Sequence, residues 1–130
     1  MSRGGFDVII GTPPYVQYRT VKSAYTVIHY ETEECGDLYA YVMERSDNLL
    51  SHVGTLGMIV PVSISSTDGF SRLREHLRNR NQLLWCSHFA TLPSYLFTGV
   101  EKRLTIWISR RCAEVKSLKT TGYMRWLAGE

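Results

Sequence analysis

Short blocks of aliphatic and β-branched residues alternate along this chain with segments of helical period. Phe6–Ile10 (FDVII) is brief, apolar and β-branched, which predicts a strand buried on both faces of a parallel sheet. Residues 16–36 are polar and tyrosine-rich. They predict a long loop with room for a short helix, and loops of that length usually act as lids or binding loops. Asp37 is a candidate helix cap. Leu38, Tyr41, Val42, Leu49, Leu50 and Val53 then recur at near-helical spacing, and Gly54 stands where a helix stop belongs. Leu56–Val60 predicts a second buried strand, closed by Pro61.

The stretch SSTDGF offers caps for a helix running to about Arg80, with Phe70, Leu73 and Leu77 as its inner stripe. Arg72, Arg74, Arg78 and Arg80 read as a solvated face that can also touch phosphates. Leu83–Phe89 and Leu104–Ser109 predict a third and a fourth strand, joined by TLPSYLFTGVEKR. The ending KSLKTTGYMRWLAGE reads as a further strand or a truncated edge. Strand–helix–strand–helix–strand order predicts an α/β sheet with right-handed crossovers. The last strand pair lacks a crossover helix, so the fourth strand should run antiparallel. There is no internal repeat and no low-complexity tract.

Composition narrows the picture. The length of 130 residues suits one domain, and 44% hydrophobic residues is too many for a disordered chain. The net charge of +3 is unevenly placed: residues 1–67 carry four Lys/Arg against seven Asp/Glu, residues 68–130 eleven against five. A basic C-terminal half suits either a polyanion partner or a solvated surface. Cys35, Cys86 and Cys112 are odd in number and widely spaced, which argues against a zinc site and a disulfide framework. His29, His52, His76 and His88 show no ligand spacing, so no metal is expected. MSRGGFD has no signal-peptide core, and no apolar run approaches the ~20 residues that cross a bilayer. The expectation is a soluble, cytoplasmic protein with reduced thiols.

The stretch VIIGTPPY carries the candidate chemistry. In open α/β sheets, ligands bind at the carboxyl ends of strands, where TPPY falls. Proline stiffens the backbone and removes an N–H, which leaves carbonyl oxygens as acceptors. Tyrosine adds a flat face. Acceptors beside an aromatic face suit a planar ring with an exocyclic amino group, such as a nucleobase.

This arrangement resembles the (Asn/Asp/Ser)-Pro-Pro-(Tyr/Phe/Trp) motif of DNA amino-methyltransferases. FDVIIGTPPYV is similar to that motif with its strand. GDLYAYVMERSDNLL and GTLGMIVPVSI are similar to the helix and strand that follow it in adenine-specific restriction-modification methyltransferases. FSRLREHL and LFTGVEKRLTIWISRR are similar to the later helix and final antiparallel strand, so Phe6 to Arg111 is covered. The resemblance implies a partial Rossmann-like sheet, S-adenosylmethionine as methyl donor, and a target base flipped out of duplex DNA at a cost of a few kcal/mol. Carried over by position, Thr12 and the Pro13 carbonyl accept hydrogen bonds from the amino group, Pro14 is the rigid wall, and Tyr15 stacks on the base. Tyr18, Arg19 and Lys22, directly downstream, are candidates for the DNA backbone.

The sequence departs from the family pattern twice. Thr12 replaces the Asn or Asp of adenine enzymes and is nearer to the Ser of cytosine-N4 enzymes. The glycine-rich cofactor loop and its ribose carboxylate are also missing. Five residues precede Phe6, and Phe97-Thr98-Gly99, the one downstream candidate, lacks a second glycine and reads as a loop before a strand. The expectation is therefore a single domain over 1–130, the catalytic half of a DNA methyltransferase without its cofactor half, with a second chain as a possible partner. Three readings stay open: adenine-N6 methylation, cytosine-N4 methylation, and an inactive remnant or DNA-binding subunit. RNA or protein-glutamine methylation is a further alternative, since similar motifs serve there.

Overall fold

A computed structural model of the chain describes residues 4–91, 99, 101–112 and 116–124. Its strands are β1 (Phe6–Gly11), β2 (Leu50–Pro61), β3 (Leu83–Phe89), β4 (Leu104–Arg110) and β5 (Ser117–Met124). Its helices are α1 (Tyr18–Val21), α2 (Leu38–Leu49), α3 (Ser63–Ser66) and α4 (Ser71–Arg80). The strands form one sheet in the order β1-β2-β4-β3-β5. β1 is parallel to β2 and β3 to β5, whereas β4 runs antiparallel to both its neighbours, β2 and β3. Four strands thus share one direction and the fourth in sequence opposes them, as its missing crossover helix predicts. The ending settles as a fifth strand, parallel to β3 at the far edge. This is a mixed α/β sheet of partial Rossmann-like form.

Strand register explains how the core is built. Residues paired across neighbouring strands share a face. Leu56–Ser109–Leu84, Met58–Trp107–Cys86 and Val60–Thr105–His88 therefore form three rows on one side. Tyr39, Ala40 and Met43 of α2 and Leu73 and Leu77 of α4 join that core. Ile64, Leu73, Leu77, Leu56 and Val60 are all fully buried there.

The opposite side differs, and it corrects the reading of β1. Phe6, Val8 and Ile10 alternate away from the core and are 59%, 64% and 82% exposed. β1 is an edge strand with one face packed through Ile9 and the other open. Its apolar composition made it read as a strand covered on both faces, but none of the described helices lies over that side.

The first long helix is shorter than its periodicity predicts. α2 ends at Leu49, and Leu50 is already extended at φ −69°, ψ 146°. Leu50 and Val53 belong to β2, which starts six residues earlier than Leu56. Arg111, just past β4, sets this boundary. Its guanidinium donates to the carbonyls of Asp47 and Leu50 and to the Asp47 carboxylate, which satisfies acceptors that end the helix. Gly54 is no helix stop. A Cβ there would lie 2.9 Å from the Phe6 carbonyl oxygen and 3.0 Å from Leu50 Cβ, so glycine is what lets β1 approach β2.

The stretch after β2 breaks into the single turn α3, a 3₁₀ turn at Asp68–Phe70, and α4. No side chain caps these starts, contrary to the reading of SSTDGF. Instead Arg74 Nη1 donates to the carbonyls of Ile64 and Thr67, at 2.8 Å each. The arginines are also less uniformly solvated than expected: Arg80 Nε lies 2.8 Å from the fully buried Asp47 carboxylate.

Candidate functional site

The carboxyl ends of β1 and β2 and the amino end of α2 converge. Beyond Gly11, Thr12 and Pro14 are exposed and Pro13 is buried. Among the described residues, no hydrogen bond engages the Thr12 hydroxyl. Tyr15 is half-buried and doubly restrained. Its hydroxyl donates to the Ile59 carbonyl of β2 at 2.6 Å, and its ring meets Tyr39 edge-on at 6.4 Å. Burial pushes the Tyr15 phenol above its usual range, so it remains a donor at neutral pH. Tyr39 in turn stacks on Phe70 at 5.0 Å and shares a 2.7 Å hydrogen bond with Ser63. An aromatic column therefore runs from the residue after the double proline to the turn before α4. Burial also drives the Tyr39 hydroxyl upward, beyond any physiological titration.

Sequence reasoning missed Lys102. Its ammonium lies 5.6 Å from the centre of the Tyr15 ring, within cation–π range. Burial raises the Asp37 carboxyl above its usual range, although the Tyr39 amide and Lys102 oppose that. Nothing in the spacing of Lys102 signals this position. It arises because the turn before β4 folds back to the carboxyl end of the sheet, where Val62 N donates to the Arg103 carbonyl.

The loop after Tyr15 does contain a short helix, α1, and it closes on itself. Gln17 and Asp37 form an antiparallel bridge, Tyr18 N donates to Gly36 O, and Leu38 N donates to Val16 O. Glu44, buried on α2, anchors the loop's far limb by accepting from Glu31 N, Thr32 N and the Thr32 hydroxyl at 2.9, 3.0 and 2.6 Å. Tyr41 adds a hydrogen bond to the Glu33 carbonyl. A Glu on the inner face of an amphipathic helix is the sequence signal for this anchor, and the sequence reading passes it over. The folded loop encloses a cleft of about 610 Å³ lined by Tyr18, Arg19 and Lys22 together with Glu33, Asp37 and Tyr41. The three residues expected to meet a DNA backbone thus share one cleft. Thr12, Pro13, Pro14 and Tyr15 do not line it.

The described residues do not furnish a cradle for S-adenosylmethionine. Among the described residues, no glycine turn joins a strand to a helix in the way a cofactor loop requires. Gly5, before β1, has φ +127°, but a Cβ there would fall 2.6 Å from Ser51 N, so it serves strand approach. Phe97 and Thr98 lie outside the described residues. Gly99 has φ +79° and open space around it. Among the described residues, no group of three or more His, Cys, Asp or Glu is placed to hold a metal ion. No helix among them is long and apolar enough to cross a membrane.

Comparison with known proteins identifies the lineage. One relative, a Methanocaldococcus jannaschii protein named for a type II restriction enzyme and methyltransferase, is 36% identical over 95 residues, which is 73% of this chain and 8% of that protein. Similar folds occur in the DrdV–DNA complex (TM-score 0.66, 16% identity, 92% of this chain and 14% of that one). A nuclease-deletion mutant of the Type ISP restriction-modification enzyme LlaGI, bound to a DNA substrate mimic, gives TM-score 0.66 at 14% identity, over 92% of this chain and 14% of that one. A Listeria monocytogenes protein described as a class I S-adenosylmethionine-dependent methyltransferase gives 0.59 at 18% identity, over 90% and 37%. The chain therefore spans a small part of each relative. The model of the Eco57I restriction-modification methylase family matches residues 1–94, more than half of the sequence, and the chain belongs to that family.

Proposed function

We propose that this chain is the base-holding half of a restriction-modification DNA methyltransferase acting on an exocyclic amine, adenine N6 by lineage. The observation that carries the reading is the restraint on Tyr15. A ring pinned through its hydroxyl to β2, next to a double proline at the carboxyl end of the sheet, is a preorganised platform for a flipped base. The Thr12 hydroxyl and Pro13 carbonyl accept from the amino group, and Pro14 limits the backbone. An aromatic amine is a poor nucleophile, so holding its lone pair in line is the main catalytic contribution. Arg19 and Lys22, with Tyr18, contact the phosphate backbone.

S-adenosylmethionine supplies the methyl group when bound by another segment or chain, because the described residues do not fit it. The bare apolar side of β1 supports that division: Phe6, Val8 and Ile10 are the surface such a segment covers. A cytoplasmic site of action follows from a DNA substrate. The alternative of a cytosine-N4 enzyme draws on the short Thr12 side chain, which is closer to Ser than to Asn. The alternative of an inactive remnant or DNA-binding subunit draws on the same residue.

The test is transfer of labelled methyl groups to duplex DNA by the chain joined to the cofactor-binding segment of a family member. Thr12→Asn should raise adenine methylation, because an amide reaches further and accepts more directionally than a hydroxyl. Tyr15→Ala should abolish that gain. Efficient cytosine methylation by the threonine form would move the assignment to N4. Failure of both forms, with the sheet still folded, would leave the remnant reading.

A further inference from the structure

A second cleft lies toward the β3–β5 edge of the sheet, on the helix-bearing side, between these strands and α3 and α4. Its volume is about 380 Å³, within the range of small-molecule sites. Leu84, Cys86, Trp107 and Leu118 line it with apolar surface, and Arg74 and Arg78 stand on α4. Register places these strand residues on one face: Cys86 pairs with Trp107, and Leu84 with Leu118. The two arginines are four residues apart and so project from successive turns toward the same side. Among the described residues, no acidic side chain lines the cleft.

Two kinds of side chain shape what the cleft can hold and how its filling can be read. Trp107 is 2% exposed, yet its indole Nε1 has no hydrogen-bond partner among the described residues. A buried indole N–H is donor-only and costly to leave unpaired. Arg74 is locked in place by its two bonds to backbone carbonyls, while Arg78 forms no ion pair among the described residues. The polar groups that converge here are the two arginines with Ser65, His88 and Thr120, around an apolar floor. That set complements a molecule bearing acceptor oxygens and negative charge at one end and a flat apolar body at the other.

We propose that this cleft is a second ligand site, separate from the Tyr15 region, that takes a small phosphate-bearing molecule with a planar ring, of mononucleotide type. The phosphate sits against Arg74 and Arg78, and the ring lies on Leu84, Cys86 and Leu118 beside the buried Trp107 indole. The site depends on neither the methylation reading nor the identity of the target base.

The experiment follows the indole N–H resonances of the ¹⁵N-labelled chain during titration with adenosine monophosphate. Trp107→Phe identifies the resonance by its loss. That resonance should move saturably at millimolar ligand or below, and inorganic phosphate should compete. Arg78→Ala should weaken binding about tenfold or more, as loss of a charge-assisted contact requires. Arg78 is exposed on the helix, so its removal leaves the fold intact, which circular dichroism checks. Equal binding of adenosine without phosphate, or an Arg78→Ala titration identical to the parent, would overturn the proposal. So would a resonance that stays still with the nucleotide. If an oligonucleotide moves it where the mononucleotide does not, the cleft is a nucleic-acid track and the small-molecule assignment fails.

Discussion

The two sides of this sheet share a composition and differ in fate. On the helix-bearing side, Leu56, Val60, Leu73 and Leu77 are fully buried, and even charged groups are enclosed with partners. On the other side, Phe6, Val8, Ile10 and Val53 are at least half exposed although they are equally apolar. Full burial of an apolar side chain of this size is worth about 1.5–3 kcal/mol, which the closed side gains and the open side forgoes. The difference teaches that hydrophobic content marks a strand without saying which of its faces is covered.

Breaking the closed side should have the largest effect. Asp47 is fully buried among Arg80, Arg111, His76 and Asn81, at 2.8 Å from Arg80 Nε and 2.8 Å from Asn81 Nδ2. Asp47→Ala strands those partners and should cost about 3–5 kcal/mol, the range for breaking a buried pair. Urea denaturation measures it. A loss below 1 kcal/mol would mean that water replaces the carboxylate and that this side is less sealed than its burial implies.

The direct comparison pairs Leu56→Ala with Ile10→Ala. The first opens a cavity and should cost about 2–5 kcal/mol. The second removes surface already in water and should change stability by less than about 0.5 kcal/mol. If a cofactor-binding segment covers β1, Ile10→Ala should instead weaken its association, read by calorimetry against that segment. Equal destabilisation of the isolated chain by both variants would erase the contrast between the sides.

A smaller effect is expected at the site. Tyr15→Phe removes only the hydrogen bond to Ile59 O and should cost about 0.5–1.5 kcal/mol. It should also lower methyl transfer by the reconstituted enzyme more than it lowers DNA affinity, since the ring is kept and only its restraint is lost. A variant that loses DNA binding and transfer in parallel would count against a positioning role.

The smallest effect is in the pH profile of the closed side. Burial opposes the charged form of His76, but the carboxylates of Asp47 and Glu31, 3.4 and 2.8 Å from its ring nitrogens, outweigh it and hold the imidazole above its ordinary value. The stability from His76 is therefore complete below its unfolded value, near ~6.5. It is lost as pH rises through the higher folded value. Asp47 has the opposite sign. Burial again opposes charge, but His76, Asn81 and Arg111 hold its carboxyl below the usual range. Its contribution is complete above ~3.8 and is lost as pH falls through the lower folded value. Stability should peak between these limbs, and His76→Gln should flatten the alkaline one.

Local order was legible because it needs only local chemistry. The strand cores, the stripe of Phe70, Leu73 and Leu77, the Asp37 cap and the antiparallel β4 all follow from spacing, capping and missing crossovers. Asp37 does accept from Tyr39 N at 3.2 Å. The stretch TPPY stands out for the same reason, because proline stiffens a backbone through its own covalent structure. What only the tertiary structure decided are properties that depend on distant partners. The end of α2 is set by Arg111, the closeness of β1 by Gly54, the anchoring of the loop by Glu44, and the cation beside Tyr15 by Lys102. Each is a meeting of residues far apart in sequence, and a linear pattern holds no term for such a distance. The open side of β1 belongs with them, because exposure is fixed by what stands opposite a side chain and not by the side chain itself.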